Sequence, residues 1–553
     1  MTSRFLLNGF KWFACQRTQT VLKPCSGFAS RAGSSDLQAT FIAERRKCLY
    51  NESRRILLPL WSRSFSSEVL VEENETSLSA LKKLDRELRR DKYSEERVNK
   101  ALQVLVEDGN KISKEQVLRL IRKFRKFRKH EAALQVSKWM LERKEFEHVS
   151  GDYALHMDLI ANIHGVSHAE QYFESLPKNI RGLEVNSALL QCYVRKQLVE
   201  KAEEQFKRME ELGLARKAHC FNQIMTLYMA TGQADKVLLQ VKQMKKMNVL
   251  PDRKTYNLWL NACASVYDGI DEVEKIVDEI KTGGENNIHW STYCTLANIY
   301  INADHVDKAE PVVKQAEKAI SKGFGIAHES VITLYGALGN KEGVYRIWQS
   351  VKEAYKNPSF SNYESVLSSL VKVGDIRGAE KIFEEWESNN PVNCKLANIL
   401  LDTYVKNSML EKAEKLHDDI SKKKCKLNCR SWEILTEGYL ESKRMGKAVV
   451  TMKNALKKGI SNGWQPKSQN IKLILNHFAN NGNVEGAAEF IDRLRPFKCV
   501  TTEAYNLVLS TYVKAGKPAP NILKKMAQDK VKPDQETDRL LKLVNTEGLK
   551  VKP

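Results

Sequence analysis

The groups with the most evident chemistry are cations. Arg119, Arg122, Lys123, Arg125, Lys126, Arg128 and Lys129 crowd one short stretch, with Phe124 and Phe127 among them. Guanidinium and ammonium groups at this density hold phosphate oxygens, a contact that needs charge but little geometry. Helical spacing puts Leu120, Phe124 and Phe127 on one face and the cations mostly on the other. The candidate phosphate ligands are Arg122, Lys123, Arg125 and Lys126. The same pattern also describes an ordinary solvated helix face. A second run, Lys422, Lys423, Lys424 and Lys426, carries the same two readings.

Groups that could catalyse are absent in usable spacing. Cys425 and Cys429 stand C-x3-C, with no second Cys or His pair at zinc-finger distance. His164 and His168 are four apart but enclose Gly-Val-Ser, not the glutamate of a zinc-protease helix. There is no GxxxxGK[ST] phosphate loop, no GxSxG elbow and no H-x-E with P-C-x-x-C deaminase signature. The expectation is a binding protein with no catalytic residue, no metal and no cofactor, rather than an enzyme. The eleven Cys are scattered and form no disulfide framework. Cys192, Cys263 and Cys294 fall in apolar helical patterns, where Cys acts as a small buried hydrophobe.

Charge points to the kind of partner. The net charge is +21, which suits a polyanion: nucleic acid first, a membrane surface second. Residues 1–65 hold eleven Lys and Arg against three acids, Asp36, Glu44 and Glu52, and are rich in Ser. That balance is the composition of a transit peptide, and Arg63-Ser64-Phe65 resembles a mitochondrial processing site. Mitochondrion is the expected destination, with chloroplast the alternative. Removing this segment leaves 78 (89 − 11) Lys and Arg against 65 (68 − 3) acids, so the remainder is still basic by 13. Apolar patches such as Ile56-Leu57-Leu58 are too brief to span a bilayer, so no membrane insertion is expected.

The elements that must position these groups are repeated. Apolar content of 42% excludes wholesale disorder, and the scarcity of Gly (27) and Pro (13) disfavours an all-β protein. From Lys114 the chain recurs with a period near 35. Twelve units start at Lys114, Gly151, Leu183, Ala218, Arg253, Trp290, Gly325, Phe360, Cys394, Cys429, Ser468 and Thr502. Each reads as two amphipathic helices. The first carries apolar residues at unit positions 4, 7, 8 and 11, as in Tyr363, Val366, Leu367 and Leu370. The second has a small residue at position 20 and bulk at 24 and 27, as in Ala379, Phe383 and Trp386. Turn signals such as Val373-Gly374 separate the two. One unit cannot bury its stripes; stacking twelve buries them in a continuous core. The predicted organisation is a transit peptide (1–65), a helical cap (66–113), the array (114–534) and a C-terminal tail (535–553). Tyr256, Tyr293 and Trp432, at position 4, are expected to pack in the seam rather than to stack on bases.

Position 8 is never Gly in the ten units from Leu183 on, which separates these units from tetratricopeptide repeats. Unit ends such as Val249-Leu250-Pro251-Asp252 and openings such as Lys254-Thr255-Tyr256-Asn257 are similar to those of pentatricopeptide repeats. The whole resembles the pure-repeat class of land-plant organellar pentatricopeptide proteins, and RLIRKFRKFRKHEAALQVSKWM resembles a subgroup of it.

This resemblance implies an all-α, right-handed superhelical solenoid that binds single-stranded RNA. The first helices would line the concave face. Each unit would address one base through its position 5 and its last residue. Carried over residue by residue, Asn222 with Asp252 matches a pair associated with uracil. Asn398 with Asn428 matches a pyrimidine-type pair, and Asn506 with Asp534 matches again. Asn257 fits position 5, but its unit is long and ends near His289. Elsewhere position 5 holds Ser187, Cys294, Glu329, Glu364, Glu433 and Lys472. Three carboxylates on an RNA face would repel phosphate. The implied role is organellar RNA metabolism: stabilisation, processing or translation. The alternative is a scaffold component of the mitochondrial ribosome or another organellar complex, with ribosomal RNA and ribosomal proteins as partners.

Overall fold

The computed structural model describes residues 113–548, apart from 267–269, 283–287, 321–324, 424–427 and 460–463. The expected transit peptide, nearly all of the expected cap, and Lys424, Cys425 and Lys426 lie outside the described residues. The described residues belong to one compact unit.

Among them the regular structure is helical. In order the helices are α1 (Lys114–Lys126), α2 (His130–Glu142), α3 (Ser150–Ile163), α4 (Val166–Ser175), α5 (Leu183–Lys196), α6 (Val199–Glu211), α7 (Ala218–Ala230) and α8 (Ala234–Lys246). There follow α9 (Arg253–Val266), α10 (Asp271–Thr282), α11 (Trp290–Asn302), α12 (Val306–Lys318), α13 (Gly325–Ala337), α14 (Lys341–Ala354), α15 (Phe360–Lys372) and α16 (Ile376–Asn389). The last are α17 (Cys394–Lys406), α18 (Leu410–Lys422), α19 (Cys429–Glu441), α20 (Met445–Gly459), α21 (Ser468–Asn481), α22 (Val484–Leu494), α23 (Thr502–Ala515), α24 (Ile522–Gln528) and α25 (Gln535–Gly548).

The odd helices α1 to α23 open the twelve units. Each starts at the residue that the period picks, except α3, which starts one residue early at Ser150. From α3 onward each odd helix packs on the next odd helix, while among successive even helices of the described residues only α20 and α22 pack appreciably. The odd helices therefore form the inner layer of an all-α repeat solenoid.

The apolar stripes make that layer. Tyr363, Val366, Leu367 and Leu370 are all buried, and Ala379, Phe383 and Trp386 face them from α16. Burying one such side chain contributes about 1.5–3 kcal/mol, and the stripe repeats in every unit, so it sets the register. Tyr256 and Trp432 pack partly buried against the core, Tyr256 stacked on Trp259 and Trp432 edge-on to His417. Cys192, Cys263 and Cys294 are buried free thiols.

The turn between paired helices has one strict feature. Position 15 is left-handed in every unit where it is described. Gly374, Gly482 and Gly516 take it at φ 80°, 61° and 61°, which costs Gly nothing. Arg128, Gln197, Asp304, Ser408 and Lys443 take it without that freedom. This explains a departure from the periodic reading: α1 stops at Lys126, so Phe127 leaves the helical face and is exposed, whereas Leu120 and Phe124 are buried.

A second recurring device ties unit to unit. Tyr404 Oη on α17 donates to Glu380 Oε1 on α16 (2.7 Å), and Lys412 on α18 pairs with the same carboxylate (3.0 Å). Tyr439, Glu414 and Lys447 repeat it at 2.6 and 2.7 Å. In both, the ammonium also lies over the Tyr ring, 5.6 and 5.3 Å from its centre.

The segment expected as a tail is instead a docked helix. α25 packs on α23 as each odd helix packs on its predecessor, burying Leu540 and Val544. Leu540, Leu541 and Val544 stand at helical spacing, and the helix they form packs as the first helix of a further unit would.

Candidate nucleic-acid interface

The last residue of each unit immediately precedes the next odd helix. The first backbone N–H groups of a helix lack intrahelical partners, so a side-chain oxygen there caps them. At three boundaries this cap also reaches the preceding unit. Thr255 N–H donates to Asp252 Oδ1 (2.8 Å), Asp252 N–H donates to Thr255 Oγ1 (3.1 Å), and Asn222 Nδ2 donates to Asp252 Oδ1 (2.8 Å). Thr255 Oγ1 in turn donates to Asn222 Oδ1 (2.8 Å).

The arrangement recurs. Asn398 Nδ2 donates to Asn428 Oδ1 (3.2 Å), and Ser431 Oγ to Asn398 Oδ1 (2.7 Å). Asn506 Nδ2 donates to Asp534 Oδ1 (3.0 Å), and Thr537 Oγ1 to Asn506 Oδ1 (2.7 Å). All three pairs carried over from the family pattern are thus brought together. Asn222 and Asn506 sit deep, 1% and 9% exposed, and Asn398 is half-buried, while Asp252 and Asp534 are exposed. Thr537 N–H and then Asn506 hold the Asp534 carboxyl below the usual range, so it stands ionised at neutral pH as an acceptor. Residues missed from the sequence are Thr255, Ser431 and Thr537; a hydroxyl three residues after an Asx cap is the signal that would have found them.

Asn257 is different. Its Nδ2 lies 3.4 Å from Ser291 Oγ, and its buried Oδ1 has no partner. His289 occupies the cap, where its Nδ1 accepts from Ser291 N–H at 3.2 Å. Burial, and then Arg253, push the His289 imidazole down to about 4. Asn257 and His289 are not joined.

The three position-5 carboxylates do not behave as a repulsive row. Glu433 is 2% exposed and turned into the protein: Arg430 Nη1 and Trp464 Nε1 donate to its Oε2 (2.8 and 3.3 Å), and Lys467 N–H to its Oε1 (2.9 Å). Glu329 Oε1 accepts from Ser361 Oγ (2.7 Å) and Asn362 Nδ2 (3.0 Å). Glu364 is half-buried.

In the basic run, Arg122 and Lys126 are exposed and Lys123 is half-buried. Arg125 is bound: its guanidinium pairs with Asp158 at 2.8 Å, and Arg195 shares that carboxylate at 2.6 Å. His164 and His168 stand with ring centres 5.7 Å apart at a cleft of about 490 Å³ between α2, α3 and α4. His156, at the same cleft, is lowered to about 4 by burial and Lys138 and bonds Ser137 Oγ at 3.1 Å. Among the described residues no group of three His, Cys, Asp or Glu is placed to hold a metal ion. No helix among them is long and apolar enough to cross a membrane.

Stacked helix pairs, with polar side chains joined across three of the unit boundaries, define the class: an α-solenoid repeat protein. Comparison with known proteins gives the family. A profile described as a pentatricopeptide repeat domain matches residues 206–265, and one described as a PPR repeat matches 187–214, 361–390 and 397–425. A pentatricopeptide repeat-containing protein of Arabidopsis thaliana is 33% identical over 467 residues, 84% of this chain and 95% of the relative. Another from the same plant, named as mitochondrial, is 32% identical over 447 residues, 80% of this chain and 88% of the relative. Among solved structures, the maize pentatricopeptide repeat protein PPR10 aligns with a TM-score of 0.44 at 16% identity, covering 86% of this chain and 71% of that one. The chain belongs to the pentatricopeptide repeat family.

Proposed function

We propose that this protein is a non-catalytic RNA-binding protein of mitochondrial RNA metabolism. One observation carries the reading: the same Asn-centred polar arrangement recurs at three unit boundaries of the odd-helix layer. Each places an amide N–H donor beside a cap oxygen. Uracil offers the complement, carbonyl acceptors flanking an imide N–H, so Asn222/Asp252 and Asn506/Asp534 suit it. Asn428 adds a second amide in place of a carboxylate, which suits a pyrimidine with a different edge. Arg122 and Lys126, with Lys123 beside them, supply phosphate contacts at the N-terminal end of the array. Occupying single-stranded RNA can block nucleases, remodel an end or expose a translation start. The composition of residues 1–65 and the relatives named as mitochondrial support the location. The reading is tested by sedimenting the protein from lysed mitochondria with and without RNase. Light, RNase-sensitive complexes that carry one enriched transcript support it. Salt-resistant migration with a ribosomal subunit would replace it with the scaffold role in the mitochondrial ribosome.

A further inference from the structure

The three boundary sites share a member that belongs to neither reading position. Thr255, Ser431 and Thr537 are each the third residue of the following odd helix, and Thr255 and Thr537 are completely buried. Each hydroxyl touches both partners of the pair behind it. Thr255 Oγ1 is 2.8 Å from Asn222 Oδ1 and 3.0 Å from Asp252 Oδ1; Thr537 Oγ1 is 2.7 Å from Asn506 Oδ1 and 2.9 Å from Asp534 Oδ1. Ser431 Oγ is 2.7 Å from Asn398 Oδ1 and 3.0 Å from Asn428 Oδ1.

An Asn amide is nearly isosteric on turning by half a turn, yet its two ends do opposite chemistry. Something must choose which end meets the base. Thr255 Oγ1 accepts from Asp252 N–H and has one proton to give; Asn222 Oδ1 at 2.8 Å is nearer than Asp252 Oδ1 at 3.0 Å, which already accepts from Asn222 Nδ2 and Thr255 N–H. Donation to Asn222 engages the amide oxygen and leaves the NH2 end to bridge the cap residue. The choice matters most at Asn398. Its partner Asn428 could donate or accept, and two opposite arrangements would otherwise compete. Ser431 resolves them: its N–H takes Asn428 Oδ1 at 2.9 Å and its hydroxyl takes Asn398 Oδ1.

We propose that Thr255, Ser431 and Thr537 are positioning residues that set base preference by fixing the amide orientation of Asn222, Asn398 and Asn506. This rests on the RNA-reading proposal. The reading module then spans two units, and each site needs the first turn of the next helix. The last site is completed by α25, outside the expected array.

The test uses the full chain and a randomised single-stranded RNA pool, with sequencing of the bound fraction. Asn222→Ala with Asp252→Ala identifies the RNA position that this pair reads. Thr255→Val should reduce preference at that one position about fivefold, the worth of one hydrogen bond, with the other positions unchanged. Thr255→Ser should restore it, and Thr537→Val should act only at the position read by Asn506/Asp534. Unchanged preference in Thr255→Val, where the pair variant has lost it, overturns the proposal. An equal loss for all four bases means a helix cap only and overturns it too. If the pair variant itself moves no position, base reading fails, and the positioning role fails with it.

Discussion

Replacing Glu433 by Gln separates two views of the position-5 carboxylates. If Glu433 faced RNA, removing its charge would tighten binding and steepen the salt dependence by about 0.7, the single-strand slope for one phosphate contact. The geometry gives a different result: RNA binding unchanged and local stability lost. Glu433 is 2% exposed and accepts from Arg430, Trp464 and Lys467. A Gln can keep the Lys467 bond through its oxygen. Its NH2 then confronts two donors, the Arg430 guanidinium and the Trp464 indole N–H. A hydrogen bond to a charged group is worth about 1.5–3 kcal/mol, so the expected loss is about 2 kcal/mol. Because each unit leans only on its neighbours, the damage should be local. Hydrogen exchange should rise in α19 and α21 and stay unchanged in α5 to α9, while RNA titrations at two salt concentrations overlay the parent. Tighter RNA binding with unaltered exchange would refute the buried-pair reasoning.

Lys443→Gly should stabilise the protein by about 1 kcal/mol in urea unfolding, because Lys443 holds a left-handed backbone, φ 57°, that a side chain disfavours. Hydrogen bonds from Lys447 and then Tyr439 hold the Glu414 carboxyl below its usual range. Its folded pKa is therefore the lower one, so its contribution is present above the unfolded value, roughly 4.3, and fades as pH falls through the folded value. Unfolding free energies of Glu414→Gln and parent from urea titration should differ by about 0.5 kcal/mol at pH 7 and converge toward pH 3. Arg122→Glu with Lys126→Glu should weaken RNA binding and flatten its salt dependence, both measured by titration, without altering unfolding. Arg125→Glu should also destabilise α1, since it turns a bond to Asp158 into a repulsion.

The period and the helix starts were legible because apolar stripes of 3.6-residue periodicity recur in every unit and each boundary adds cap or turn chemistry. The pairs proposed to read bases could be picked out only through the family pattern, since Asn and Asp are ordinary surface residues in isolation. Three things were hidden. Phe127 sits on the helical face only if α1 continues, and a left-handed Arg128 does not advertise where it stops. Glu433 reads as a groove carboxylate until Trp464 and Lys467, from a loop thirty residues on, are folded over it. The pairing of Arg125 with Asp158 joins two units and leaves no mark in local spacing.

A polar last residue is not by itself a reader, because helix starts demand one anyway. Ser359, Asn393 and Thr501 also cap odd helices, accepting from Asn362 N–H (3.3 Å), Lys395 N–H (2.9 Å) and Ala504 N–H (3.3 Å). A cap is worth about 1 kcal/mol without any RNA. What these boundaries lack is the rest of the arrangement. After Asn393 the third helical residue is Leu396, and after Thr501 it is Ala504, neither able to donate from its side chain. After Ser359 it is Asn362, which does donate to position 5, but Glu329 stands there, a carboxylate with no N–H to give to a cap residue or a base. Two positions per unit therefore overcount the sites, and three positions predict where a new one can be built. Lys472→Asn, Thr501→Asp and Ala504→Ser together reproduce the geometry next to the site of Asn506 and Asp534. Ala504 occupies the place that Thr255 and Thr537 fill when completely buried, so a Ser hydroxyl fits there. Selection from a randomised RNA pool should show the triple variant with one added base preference, adjacent to that of Asn506/Asp534. The double variant that keeps Ala504 should show it about fivefold more weakly. Equal preference in both would mean that two residues suffice and that the hydroxyl is a cap alone.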